Sequence, residues 1–244
     1  MRRALALLGA ALLSTAAAAE PTEVTVRVIA QDAKFIGESM GSAAIELRDA
    51  ATGELLAEGR TMGTTGETAL IMESHPRQTA MSDGQSAKFT ATLDIAEPTL
   101  IELTAKGPLG RPHSMLTITQ QRWLMPGEPL TAGDGWLVEM PGIAITPRVQ
   151  MTVDGIEAGA FIELMCGCPI TPGGRWNAEE YTVTASLWSG SDKLFERELA
   201  FVESPGGYAA RIPLSAGGPA ATRIVYHARN SRTGNSGLAT LPLE

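Results

Sequence analysis

The chain contains many short segments in which apolar and polar residues alternate. Residues 23–29, EVTVRVI, carry valine at every second position, and residues 43–48, AAIELR, show a similar pattern. Such alternation is typical of β-strands with one buried face. Further strands are predicted at residues 87–93, 99–105, 114–119, 149–153, 160–166, 181–188, 194–201, 208–213 and 222–228. No segment shows a sustained repeat of 3.6 residues, so the pattern predicts an all-β protein built as sandwiches or barrels.

Two turns predict β-hairpins. In RDAATGE, Gly53 can take the positive φ that closes a turn with a bulge, and RNSRTGN has the same Thr-Gly ending. The segment IELRDAATGELLAEG resembles the hairpin of transthyretin-like or carboxypeptidase-regulatory-like modules. The segment VYHARNSRTGNSG resembles the final hairpin of bacterial immunoglobulin-like domains. The resemblance implies β-sandwich folds and implies no catalytic activity, because these folds host many functions.

Pro- and Gly-rich stretches suggest where the domains divide. Residues 125–135, MPGEPLTAGDG, and residues 140–142, MPG, separate the two series of predicted strands. We therefore predict two consecutive immunoglobulin-like or transthyretin-like β-sandwich domains after a cleaved signal peptide. The predicted bounds are 1–19 for the signal peptide, 20–125 for the first domain, 126–142 for a linker and 143–244 for the second domain. Both domains would have ordinary sizes.

The N-terminus has the three parts of a secretory signal. Arg2 and Arg3 form a positive region, residues 4–13 are apolar, and residues 17–19 supply small side chains for cleavage before Glu20. The apolar run is too short to span a bilayer core of about 30 Å as a helix. The sequence therefore predicts a periplasmic or secreted protein with no membrane insertion after signal cleavage.

Charge and motifs narrow the function classes. The formal net charge is −8 and becomes −10 when the two arginines of the signal are removed. An acidic chain is a poor partner for nucleic acid, whose phosphates need a basic surface. The sequence contains no H-E-x-x-H motif, and its three histidines lie in separate segments. We therefore expect a binding protein rather than an enzyme.

The only two cysteines of the chain lie one residue apart, in MCGCPI. A disulfide between Cys166 and Cys168 requires the chain to turn at Gly167, because residues i and i+2 of a regular strand lie about 6.6 Å apart. Two thiolates at this spacing would instead suit the soft ion Cu(I). Met165 would join them only if the strand breaks there. Burial as unreactive core residues is the third alternative.

Two further groups of residues are candidates for chemistry. Arg175 and Trp176 follow the cysteines closely, where Arg175 would favour thiolate and Trp176 would shield the site from water. The alternative is that both belong to an ordinary loop, with the indole tucked against the protein. A weaker soft-metal hypothesis concerns the loop of residues 61–85, whose candidate ligands are Met62, Met72, His75 and Met81. The alternative is that these methionines fill gaps in the core.

Together these features favour an exported binding protein with a cysteine-based site. Its ligand would be a soft metal, most simply copper(I), or the cysteines would respond to redox conditions. The competing hypothesis is a non-catalytic adhesion or scaffold protein for another periplasmic protein, with Cys-Gly-Cys as a small structural disulfide. A thiol–disulfide oxidoreductase is less favoured, because the sequence lacks a thioredoxin-like βαβ pattern.

Overall fold

The computed structural model describes residues 18–73, 79–203, 205–213, 215 and 220–243. Within them the chain is nearly all β, which confirms the predicted fold class. The strands are β1 (Glu20–Ala30), β2 (Ala44–Asp49), β3 (Leu55–Arg60), β4 (Phe89–Ile95), β5 (Thr99–Gly107), β6 (Leu116–Leu124), β7 (Trp136–Met140), β8 (Ile143–Thr152), β9 (Gly155–Leu164), β10 (Tyr181–Ser189), β11 (Asp192–Glu198), β12 (Ala200–Glu203), β13 (Gly207–Pro213), β14 (Arg223–Asn230) and β15 (Ser236–Pro242). One short helix, α1 (Thr68–Met72), and 3-10 turns at Glu38–Met40, Pro112–Ser114 and Ala178–Glu180 complete the described elements.

The strands form four sheets. Residues 20–140 supply the sheets β4-β1-β7 and β3-β2-β5-β6, and residues 143–242 supply β11-β10-β14-β15 and β12-β13-β9-β8. Neighbours are antiparallel except β1 and β7, which run parallel from Val26 opposite Trp136 to Ala30 opposite Met140. Strand β7 lies inside the predicted linker, residues 126–142, so part of that stretch is a paired strand. We refer below to residues 20–140 and 143–243 as the first and second halves.

Both predicted hairpins are present, and the same local interaction closes each turn. The Asp49 carboxylate accepts the N–H groups of the residues two and three positions on, and the side chain of Asn230 does the same. Gly53 and Gly234 then take φ values of 76° and 79°. The hydrogen bonds also hold the pKa of Asp49 below its usual value. The shared turn chemistry is a known use of Asp and Asn side chains.

The two halves bury one continuous apolar cluster. It includes Met40 and Met140 from the first half together with Ile143, Leu164 and Met165 from the second. Burial of apolar side chains is the main favourable term in folding and in association of protein surfaces. The halves therefore pack against each other through an apolar junction.

Among the strands whose bounds differ from the sequence prediction, two affect the site and the sheet topology. The predicted strand 160–166 ends at Leu164, before the cysteines. The predicted strand 194–201 is divided at Leu199, which is 2% exposed and donates its N–H to the carbonyl of Val183. Because β11 pairs with β10 and β12 pairs with β13, the chain passes from one sheet to the other at this buried leucine.

Residues 1–17 of the predicted signal peptide lie outside the described part of the chain. Among the described helices, none has the length and apolar character needed to cross a bilayer. Cleavage and periplasmic location remain predictions from the sequence.

Candidate functional site

The Cys-Gly-Cys segment forms a closed ring at the end of β9. The Gly167 N–H donates to the carbonyl of Leu164 at 2.7 Å, and the Leu164 N–H donates to the carbonyl of Cys168 at 3.2 Å. A disulfide joins Cys166 and Cys168, whose Cα atoms lie 5.4 Å apart. Gly167 has a φ of 77°, a conformation that glycine adopts without strain. The turn at Gly167 that a disulfide requires is therefore present.

The ring is buried at the junction of the two halves. Cys166 is 1% exposed and Cys168 is 4% exposed. A Cβ atom added to Gly167 would lie 2.9 Å from the Sδ atom of Met40, which belongs to the first half. The ring therefore packs against the first half so closely that a side chain at its central position does not fit without movement.

An ion pair between the halves lies beside the ring. The Nε atom of Arg111 donates to the Oε1 atom of Glu163 at 2.6 Å, and the Glu163 side chain is 9% exposed. The other oxygen of that carboxylate lies 3.7 Å from the position that a Cβ at Gly167 would occupy. A buried carboxylate needs such a partner, because removal of a charge from water is costly. Arg111 therefore links the first half to the end of β9.

Arg175 and Trp176, which we expected around the cysteines, have other partners. The Nη2 atom of Arg175 pairs with the Oε1 atom of Glu73 at 2.9 Å, on the surface. The Nε1 atom of Trp176 donates to the carbonyl of Asp32 at 2.9 Å, and its ring packs against the main core. Both residues therefore join the second half to the first, and the cationic group of Arg175 is already paired with a carboxylate.

Hydrogen bonds between side chains and backbone groups add to the contacts at the junction. The Ser114 hydroxyl accepts the N–H of Ile145 at 2.7 Å. The side chain of Asn235 accepts the Gly142 N–H at 2.7 Å and donates to the Gly142 carbonyl at 3.1 Å. These bonds fix the segment around residue 114 and the turn before β15 against the start of β8. They also form the frame of a neighbouring cavity.

That cavity, which we call the junction groove, has a volume of about 490 Å³. The residues that line it include His113, Met115, Leu116, Met165, His227 and Leu238. Met165 also lines the groove and is itself 1% exposed. A Cβ atom at Gly142 would lie 2.6 Å from the Cε atom of Met165, so the thioether packs against that glycine. The groove thus joins one predicted site residue to two histidines that the sequence had left apart.

Local sequence signals did not reveal the groove. His113 lies in the 3-10 turn Pro112–Ser114, Met165 follows β9, and His227 lies on β14 between Thr184 of β10 and Leu238 of β15. Distances along the chain between these residues exceed fifty positions. Only the packing of the two halves brings the histidines and methionines to one place.

The loop of residues 61–85 is arranged differently. Met72 and Met81 line a second cavity, together with the carboxylate residues Asp32 and Glu139. Met62 does not line this cavity and is 57% exposed. His75 lies outside the described residues. Of the three candidate ligands in this loop that the structure describes, it therefore brings Met72 and Met81 together and leaves Met62 apart.

Conventional metal ligands do not cluster in the described residues. Among them, no group of three or more His, Cys, Asp or Glu side chains is placed to hold a metal ion. Both cysteines are bonded to each other, so neither thiolate is available as a ligand while the ring is closed.

The shifted pKa values concern residues outside the junction groove. Burial raises the pKa of Tyr208 to about 12 and also raises the pKa of Tyr181. Burial lowers the pKa of Arg27, although the charges of Asp134 and Asp83 partly oppose this shift. These shifts have a structural cause, the removal of the groups from water.

Comparisons with known proteins do not identify a function. No protein-family model and no curated protein matches the chain. Among solved structures, the chain is similar to a DUF3823 family protein from Parabacteroides merdae ATCC 43184, with 14% identity, a TM-score of 0.29, and coverage of 93% of this chain and 100% of that chain. It is also similar to a DUF3823 family protein from Bacteroides ovatus ATCC 8483, with 10% identity, a TM-score of 0.32, and coverage of 91% and 97%. At these scores neither similarity carries an argument about what the chain does.

Proposed function

We propose that the protein is an exported, non-catalytic β-sandwich protein that binds another protein, with Cys166–Cys168 as a small structural ring. The observation that carries this proposal is the burial of the ring between the two halves, against Met40. Thiol–disulfide exchange with a partner needs a cysteine sulfur atom that the partner can reach. Both cysteines are instead almost fully covered.

The burial also ranks the alternatives for the cysteines. Binding of Cu(I) by the two thiolates requires two electrons from a reductant to open the bond first. Thiol–disulfide exchange starts with the attack of a thiolate on one of the two sulfurs, and burial restricts that access. We therefore place the structural ring ahead of a cysteine-based metal or redox site.

The exposed side of β6 supports a role in partner binding. Strand β6 is one of the two edge strands of the sheet β3-β2-β5-β6, and Trp123 near its end is 65% exposed. Trp123 lies opposite the partly buried Leu100 of β5. Tryptophan is enriched among the residues that contribute most to protein interfaces, and edge strands can pair with a partner's strand. This surface is our candidate for contact with the partner protein.

Photo-crosslinking in cells tests the proposal. A photoreactive amino acid is introduced at Trp123 and, as a matched control, at Val153, which is 91% exposed in the second half. We expect a discrete covalent adduct with another protein from position 123 and none from position 153. Absence of an adduct at position 123, or equal adducts at both positions, would contradict partner binding through β6.

Thiol counting tests the role assigned to the ring. We expect protein isolated from the periplasm to contain no free thiol, and a Cys166→Ser/Cys168→Ser variant to give the same adduct at position 123. Two free thiols in the isolated protein would contradict a structural ring. Loss of the adduct in a variant whose circular dichroism spectrum matches the wild type would show that the cysteines themselves serve the function.

A further inference from the structure

The junction groove contains a set of soft donors in one cavity. Two imidazoles, from His113 and His227, and two thioethers, from Met115 and Met165, line it. Of the three histidines in the chain, two are therefore found here, and His75 lies outside the described residues. These donor types are the ones that bind copper in proteins, and thioether sulfur favours its reduced form.

The other residues of the groove argue against hard or divalent metal ions. Among the described residues that line it, none is Asp, Glu, Lys or Arg. Calcium and magnesium need several oxygen ligands, so the groove does not suit them. Zinc sites draw four ligands from Cys, His and carboxylates, and the groove offers only two of these. A neutral set of imidazoles and thioethers suits an ion with a single positive charge.

We propose that the junction groove binds one Cu(I) ion through His113, Met115, Met165 and His227. This site is independent of the cysteine thiolates and goes beyond the partner-binding role proposed above. It assigns Met165 a different role from the one the sequence suggested. The methionine acts with histidines across the junction rather than with the two cysteines beside it.

Rigid elements hold the donors. His227 lies in the middle of β14, which has paired strands on both sides. His113 lies in the 3-10 turn that the Ser114–Ile145 hydrogen bond attaches to β8. Met165 is almost fully buried, and its Cε atom packs against Gly142. Sites built on such elements lose little entropy when a ligand binds, because their side chains are already positioned.

Access and charge favour entry of a cation. The side chains of His113 and His227 are exposed, so an ion can reach them from solvent. The formal net charge of −8 gives the surface an attraction for cations.

An anaerobic competition titration tests the proposal. The full mature protein is titrated with Cu(I) against a chromophoric chelator, and the same titration is repeated with Zn(II). We expect one Cu(I) per protein and no zinc binding of comparable strength. Replacement of His113 or His227 by Ala, or of Met115 or Met165 by Leu, is expected to weaken Cu(I) binding at least tenfold. The Met→Leu changes keep the side-chain volume, so the fold is retained.

Matched variants make the result decisive. Met62→Leu removes an exposed thioether outside the groove, and Cys166→Ser/Cys168→Ser removes the sulfur pair. We expect the Met62→Leu variant to bind Cu(I) with an affinity within about twofold of the wild type. The Cys166→Ser/Cys168→Ser variant is expected to keep one bound Cu(I). No Cu(I) binding by the wild type, or equal binding by the His113→Ala/His227→Ala variant, would overturn the proposal.

Discussion

The junction and the loop of residues 61–85 offer similar residues in different settings. Both contain methionines and a salt bridge between the two halves. The junction pair, Arg111 with Glu163, has a carboxylate that is 9% exposed, whereas the Glu73 side chain that pairs with Arg175 is 61% exposed. Met115 and Met165 share the junction groove with two histidines. Met72 and Met81 of the loop share a cavity with two carboxylate residues.

The difference shows that residue type alone does not define a site. The loop attracts attention in the sequence because its methionines and His75 lie close together along the chain. The junction collects its donors from separate segments through packing. Burial then determines how much each interaction contributes, since exposed charges are screened by water and buried ones are not.

The two salt bridges give the largest expected contrast. Arg111→Ala should lower the free energy of unfolding by about 2 kcal/mol, because it leaves the buried Glu163 carboxylate without a charged partner. Arg175→Ala should change it by less than about 0.5 kcal/mol, as is usual for an exposed pair. Urea unfolding followed by circular dichroism measures both.

A double variant separates the ion pair from other effects of Arg111. Arg111→Ala/Glu163→Gln removes the unpaired charge and should recover part of the lost stability. Equal losses of stability in the Arg111→Ala and Arg175→Ala variants would contradict a larger contribution from the buried ion pair.

Two glycines provide the next contrast. Gly167→Ala should destabilise the protein by about 1–3 kcal/mol, because φ is positive there and Met40 occupies the space of the new methyl group. Gly84→Ala, in the loop, should have an effect within about 0.5 kcal/mol, since no atom lies within 4 Å of its added Cβ. Thermal and urea unfolding of both variants tests this. A harmless Gly167→Ala would contradict the tight packing of the ring.

The smallest expected effect concerns acid pH. Hydrogen bonds from Ser86 and from the backbone N–H of Gln85 lower the pKa of Asp83 in the loop. A carboxylate with a lowered folded-state pKa contributes stability above its unfolded pKa, near 4, and this contribution disappears as the pH falls through the folded value.

Unfolding measurements between pH 5 and pH 2 test this contribution. Asp83→Asn removes this carboxylate, so the variant should lose slightly less stability than the wild type as the pH falls. The substitution should not affect the junction. An unchanged pH profile in Asp83→Asn would contradict the assigned role.

Local features of the fold were predictable from the sequence, whereas the groove was not. The turns at Gly53 and Gly234 follow from side-chain hydrogen bonds within a few residues, so RDAATGE and RNSRTGN identify them. The alternation of valines in β1 likewise indicates its buried face. In contrast, His113 and His227 come together only through the packing of the two halves, which no local pattern encodes.

The structure of the cysteine segment was predictable from the sequence only in part. Its sequence correctly limited the geometry to a regular strand or a turn at Gly167, because the reach of two side chains is fixed. It did not show that the ring is buried against Met40, since that contact depends on a residue more than a hundred positions away. Nor did it show that Arg175 and Trp176 interact with Glu73 and Asp32 of the first half.

Nuclear magnetic resonance of methionine methyl groups tests directly whether the junction groove is the soft-donor site of this protein. Cu(I) is diamagnetic, so protein labelled with ¹³C at the methionine methyls can be followed while the ion is added without oxygen. We predict that the signals of Met115 and Met165 shift until one equivalent has been added, while those of Met62, Met72 and Met81 remain unchanged. Shifts confined to the loop methionines, or no shifts at Met115 and Met165, would contradict the account.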